Sequence, residues 1–335
     1  MIRHSSCNRW GLAMLLAGTA LIQGCDQAPV DSAASAVEKR TTEEPADTGY
    51  TSVEVSHKLG TTRVEQRPAR VVALDMNEVD FLDQLDVDVV GMPKDFVPHF
   101  LSQYKEDAEV LDLGAIVQPN LERVHAAKPD LILISALHAQ HYEELSEMAP
   151  TIHFDVDYRN SSVSHIDIVR GHLMTLGRVF AKESLAREKA AGLDSKIREI
   201  RQVTEGRDEK ALVVLHNNGA FSSFGPQSRY GFVFSDLGVK PAAPEVDTGL
   251  HGQPVSSEFI HQAGPDIIYI VDRTAVMEGR PVLTAESLNN PLLKQTPAWR
   301  NGRVVLVDAE AWYVTAASVN SLNIIIDDLL KGYQG

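Results

Sequence analysis

From residue 51 onward, short apolar runs alternate with amphipathic stretches, at a spacing that predicts strand and helix in turn. Residues 53–66 (VEVSHKLGTTRVEQ) read as a hairpin turning at Gly60. RVVALD (70–75) predicts a buried strand, 77–86 a short helix behind it, 87–93 the next strand and 101–107 a polar helix. In 119–135, Asn120 is placed to cap a short helix, Pro129-Asp130 turns the chain, and 131–134 is an apolar strand. A helix over 143–150 and a strand over 151–157 follow. Strand and helix alternating in this way imply a parallel, doubly wound sheet.

Residues 164–204 break that rhythm with some forty positions of helical periodicity and no strand signal. The alternation then restarts: a strand over 210–218, a loop with Gly225-Pro226, a helix near 231–237, a loop to Pro254, a helix over 257–263, strands over 267–272 and 304–308, and a closing amphipathic helix over 318–333. The expected fold is α/β, with two Rossmann-like lobes of parallel sheet (53–163 and 205–335) joined by a long helical strut (164–204). A ligand cleft would open at the strand C-termini between the lobes.

The N-terminus follows another pattern. Arg3 and Arg9 precede an apolar stretch over 10–22 that is too short to span a bilayer, and Ile22-Gln23-Gly24-Cys25 comes next. This predicts a secretory signal over 1–24 and, because it resembles a bacterial lipobox, a lipid on Cys25. Residues 25–52, rich in Ala, Ser, Glu, Pro and Thr, read as a disordered tether. Such a chain is anchored to a membrane, facing the periplasm, without spanning it. The two cysteines, Cys7 and Cys25, would both be removed from thiol chemistry, which excludes disulfides and Cys-based catalysis. The formal charge of −15 becomes −17 once Arg3 and Arg9 leave, which argues against nucleic acid as a partner.

Enzyme signatures are missing: the sequence has no G-x-S-x-G, no phosphate-binding loop, no H-E-x-x-H and no G-x-G-x-x-G after the first strand. Candidate chemistry gathers instead between Phe224 and Arg273. SFGPQSRYG carries Arg229 and Tyr230, GLHGQP carries His251 in a glycine-flanked loop, and Arg273 ends an apolar strand. Tyr313 lies just past the strand over 304–308. Guanidinium forks suit phenolate and carboxylate oxygens, while imidazole and phenolate both ligate ferric iron. Taken singly, each residue is commoner on a surface or in a core. What joins them is their shared position at strand C-termini.

These segments, with VGMPK, PNLERVHAAKPDLILIS, SSEF and AWYV, resemble the ferric-siderophore-binding lipoproteins of ABC importers, which are class III periplasmic binding proteins. The similarity spans about residues 53–333 and is greatest to the subgroup for catecholate siderophores of the petrobactin and bis-catecholate type. It implies that the protein has no cofactor of its own and binds ferric iron as a siderophore complex. His251 and Tyr313 would complete the iron's coordination, with Arg229, Arg273 and Tyr230 gripping the chelate. Relatives carry a third arginine where this chain has Ser135-Ala136-Leu137-His138, leaving Lys94 or His138 as replacements. Glu122 and Glu258 match the positions that dock on an inner-membrane permease, and the protein is expected to act as a monomer. A receptor for haem, cobalamin or a free metal ion is the rival of the same class. An envelope hydrolase is the rival from another.

Overall fold

The computed structural model describes residues 49–158, 163–245, 251–284 and 288–334. Cys25, the signal and most of the tether lie outside them. Within the compact unit Pro45–Gly335 there are two main sheets. The first is wholly parallel, with strands in the order Leu111–Asp112, Val89–Met92, Val71–Ala73, Leu131–Ile134 and Thr151–His153. Every residue of its last three strands is buried, so both faces are covered, as a parallel sheet requires. The hairpin Val53–His57 and Gly60–Val64 pairs antiparallel as the sequence predicts.

The second sheet departs from expectation. Lys210–Asn217, Ile267–Asp272 and Val304–Leu306 are parallel, but Ala220–Phe224 runs antiparallel to Lys210–Asn217 and Gln253–Val255 antiparallel to Ala220–Phe224. The sheet is therefore mixed. The cause is a two-residue turn at Asn218-Gly219, where φ is 49° and 84°. An Asn-Gly pair tolerates positive φ at both positions and sends the chain straight back. That pair was the signal for a strand where the hydrophobic pattern reads as loop.

The stretch over 164–204 forms two helices, His165–Val179 and Glu183–Glu205, turned at Ala181 with φ 54°. Gly177 permits the tight crossing, since a Cβ there would meet the Cβ of Ala186 at 2.6 Å. The longer helix buries Ala186, Ala190, Leu193, Ile197, Ile200 and Thr204, one stripe at helical spacing, and packs on the closing helix Val319–Tyr333. The expected strut is thus a helical hairpin.

Direct hydrogen bonds also tie the two sheets' layers together. Helix Met76–Gln84, which follows the first buried strand, supplies Asn77 and Asp80. Asn77 Oδ1 accepts from Ala317 N at 3.0 Å. Asp80 accepts from Asn320 N and Nδ2, both at 2.8 Å. His99 donates its backbone N–H to Glu310 at 2.7 Å. These ties converge on the segment around Tyr313.

Candidate functional site

The C-terminal residues of the second sheet build one cluster. Arg273 opens helix Arg273–Glu278 directly after its strand, with Asp272 as N-cap. Its Nε donates to the Tyr313 hydroxyl at 2.7 Å and its Nη1 to Asn217 Oδ1 at 2.9 Å. Arg229 donates Nη2 to the Tyr313 carbonyl oxygen, and its Nε, buried, has no partner. Both guanidiniums lie over the Tyr313 ring, at 5.1 and 5.3 Å from its centroid. The structure therefore joins three residues, from positions 229, 273 and 313, into a cationic wall around one phenol.

A second layer holds that wall in place. Tyr313 sits on a single wide helical turn, Ala311–Thr315, closed by the bond from Ala316 N to Ala311 O at 2.8 Å and ended by Ala316 at φ 61°. Trp312 beside it is fully buried, and its indole N–H donates to Asp328 at 3.0 Å. On the arginine side, His216 Nδ1 donates to Asp272 at 2.9 Å, while its Nε2 accepts from Gly219 N at 2.9 Å. The turn that carries Asn217 is thereby locked, and Asn217 orients Arg273.

Other predicted residues fall elsewhere. Tyr230, expected to face the ligand, is fully buried: its hydroxyl donates to the Trp312 carbonyl at 3.1 Å, and its ring packs between Phe224 and Trp312. Burial pushes its hydroxyl up to about 12. It supports the wall from behind. His138 is likewise fully buried, with Nε2 donating to Ile116 O at 2.7 Å and Nδ1 facing Ser135 N at 3.4 Å. Desolvation lowers its pKa, so it is a neutral structural histidine and no replacement for an arginine. The Lys94 ammonium donates to the Asp107 carbonyl at 2.6 Å, which ties down a loop of its own lobe.

His251 is exposed and, among the described residues, makes no hydrogen bond or ring contact, with Tyr313 or any other group. Gly252 after it has φ 71°, and a Cβ there would meet the Phe224 ring at 2.7 Å. The backbone just after His251 is thus held against Phe224, and the imidazole does not join the cluster. Among the described residues no group of three His, Cys, Asp or Glu could hold a metal ion. Sequence reasoning passed over Tyr158, which lines a small pocket with Arg229, Val156 and His165. Burial raises its hydroxyl to about 12 against the pull of Arg229.

Residues 71–311 match the periplasmic binding protein family. The chain belongs to that family. It is 62% identical over 284 residues to the ferric-anguibactin-binding protein FatB of Vibrio anguillarum, covering 85% of this chain and 88% of that protein. A solved structure of the siderophore-binding protein BauB, bound to a complex between two molecules of acinetobactin and ferric iron, is 61% identical with TM-score 0.81, covering 85% of this chain and 99% of that one. The petrobactin-binding protein YclQ of Bacillus subtilis is 32% identical over 298 residues, covering 88% of this chain and 92% of that protein, and its crystal structure has TM-score 0.79.

In this periplasmic binding protein Glu122 and Glu258 occupy equivalent places. Each is exposed on the first turn of a short helix whose N-cap, Asn120 or Ser256, accepts from the third backbone N–H. The Ser256 hydroxyl, hydrogen-bonded to Glu258, holds that carboxyl below its usual range.

Proposed function

We propose that this periplasmic binding protein captures a ferric siderophore against the Arg229–Tyr313–Arg273 wall and delivers it to an ABC permease. The observation that carries this reading is the phenol held between two guanidiniums at the C-terminal edge of the sheet. Such a wall suits the anionic oxygens of an iron chelate, and charge-assisted bonds from arginine forks favour them over neutral groups. FatB, BauB and YclQ, named for siderophores or their iron complexes, support the choice of cargo. No bond is made or broken. Iron arrives with its own donors, and Tyr313 and His251 fill the positions the chelator leaves open.

Glu122 and Glu258 are the permease contacts in this reading, one on each lobe. Replacing both with Ala would leave ligand affinity unchanged and stop uptake, whereas unimpaired uptake would remove them from that role. Lipid on Cys25 would hold the protein at the membrane as a monomer, which mass spectrometry of the mature N-terminus and sedimentation of the soluble domain would check. The cargo is tested by Trp and Tyr emission, which ferric catecholates quench. Titration with ferric bis- and tris-catecholates should quench at submicromolar concentration. Quenching by haem or Zn²⁺, with none from any siderophore, would overturn the reading.

A further inference from the structure

One surface of the first lobe has no part in the function proposed above. Phe96, Val117 and Leu137 are large apolar side chains left 37%, 65% and 52% exposed. All three stand past the C-terminal ends of the first sheet's strands, the edge of an α/β sheet where ligands bind. Phe96 follows strand Val89–Met92 and Leu137 follows strand Leu131–Ile134. Val117 lies beyond Leu111–Asp112, at the turn between Gly114–Ala115 and Gln118–Pro119. Two hydrogen bonds, both to the backbone of Ile116, hold the three segments together. Ile116 N donates to Asp95 Oδ1 at 2.9 Å, and Ile116 O accepts from His138 Nε2 at 2.7 Å. Phe96, Val117 and Leu137 are the chain neighbours of these three bonded residues.

Phe96 is also strained. Its φ is 52°, and a bulky residue in the left-handed region is an outlier of the kind that gathers at ligand clamps. The basic groups beside these apolar side chains are tied to their own lobe, Lys94 on the Asp107 carbonyl at 2.6 Å and His138 on Ile116. The loop of Phe96 also reaches the cationic wall directly. His99, three residues on, donates its backbone N–H and its ring Nδ1 to Glu310 at 2.7 and 3.0 Å. Glu310 is the N-cap of the turn that carries Tyr313. Just past that turn, Ala317 N donates to Asn77 of the first lobe at 3.0 Å. The first lobe therefore touches the Tyr313 turn at both ends, and one loop runs from that contact to the apolar side chains.

We propose that Phe96, Val117 and Leu137 form an apolar platform beside the cationic wall, and that it covers an uncharged ring or hydrocarbon face of the ferric chelate while Arg229 and Arg273 hold the oxygens around iron. The inference rests on the siderophore reading and narrows it. The cargo is a two-sided chelate, anionic where it meets the arginines and apolar on the face turned to the first lobe. A platform of hydrocarbon, with no arginine across 135–138, disfavours a chelate that presents charged oxygens on every side, because those oxygens would lose water there and gain no donor.

The test uses two synthetic ferric bis-catecholamides with the same iron-binding groups, one joined by a xylylene linker and one by an ether linker of equal length, with emission quenching as readout. The intact protein is expected to bind the xylylene chelate about tenfold more tightly, the effect of covering about 55 Å² of apolar surface. Combining Phe96→Asn with Val117→Ser and Leu137→Ser should reduce that preference to within about twofold, with the loss falling on the xylylene chelate. Asparagine tolerates positive φ, so the first change removes the ring and keeps the backbone. If the triple variant melts well below the parent, the exposed pair Val117→Ser and Leu137→Ser carries the test, with a preference lowered at least threefold. Equal affinity of the parent for both chelates, or a preference that survives in the variants, would overturn the proposal alone. A surviving preference together with lost uptake would assign the platform to a protein partner instead. Failure of the parent to bind either chelate would overturn the siderophore reading and this inference with it.

Discussion

The two walls of the cleft differ in how their charges are held. On the wall built by the second sheet, Arg229 and Arg273 reach a half-buried phenol through supports several residues deep: Trp312 on Asp328, and Asn217 on a turn fixed by His216 and Asp272. On the wall of the first sheet, the ionisable groups turn inward. His138 is locked on a carbonyl and Lys94 on another. One wall is a pre-formed cation surface, for which little ordering remains to be done on binding. The other holds its basic groups, His138 and Lys94, on backbone carbonyls of its own lobe. In the proposed function, affinity rests on the first wall.

Removing one fork from the cationic wall should give the largest effect. Arg273→Ala deletes a charge-assisted contact and frees the Tyr313 hydroxyl, so affinity for a ferric bis-catecholate should fall by about 2–3 kcal/mol, tens- to a hundredfold. A loss under threefold would mean that the wall does not bear on the ligand. The first sheet's side offers a pH test of intermediate size. His172 packs on Phe154 at 4.6 Å and Phe81 at 6.2 Å, and burial pushes its pKa down from 6.5 to about 4. A histidine kept neutral by folding contributes stability that is complete above pH 6.5 and lost as pH falls toward 4. Between pH 7 and 5 the parent should lose about 2 kcal/mol through this group, and His172→Phe should be spared that loss in parallel denaturant titrations. The smallest effect belongs to the support behind the wall. Tyr230→Phe loses one hydrogen bond to the Trp312 carbonyl, about 1 kcal/mol of stability by thermal melting, with affinity changed less than about threefold. A large affinity loss there would return Tyr230 to the ligand surface.

Much of this arrangement was legible in the sequence, and the reason is local. Arg273 follows an unbroken apolar strand, and Asn120 and Ser256 cap the helices of Glu122 and Glu258 where their side-chain chemistry requires. What was hidden depends on depth, which a one-dimensional pattern does not record. Tyr230 and Arg229 are neighbours in the chain, yet one side chain enters the core and the other the cleft. His138 reads like any loop histidine until Ile116, distant in sequence, supplies its carbonyl. Glu78 looks like a solvated helix carboxylate, and only the packing of the two sheets' layers buries it. The Asn218-Gly219 turn is a different failure, because its signal was local and was passed over.

The central claim is that the cationic wall meets the iron-bearing face of the cargo and that Tyr313 completes the metal's coordination. It is tested most directly by the affinity of Tyr313→Phe for two ferric chelates, one tetradentate and one hexadentate, measured side by side by emission quenching. A loss of about tenfold or more for the tetradentate chelate, with less than about twofold for the hexadentate one, is the predicted result, since only the former leaves iron positions open to a phenolate. Equal losses for the two would contradict the claim and reduce Tyr313 to a lining residue.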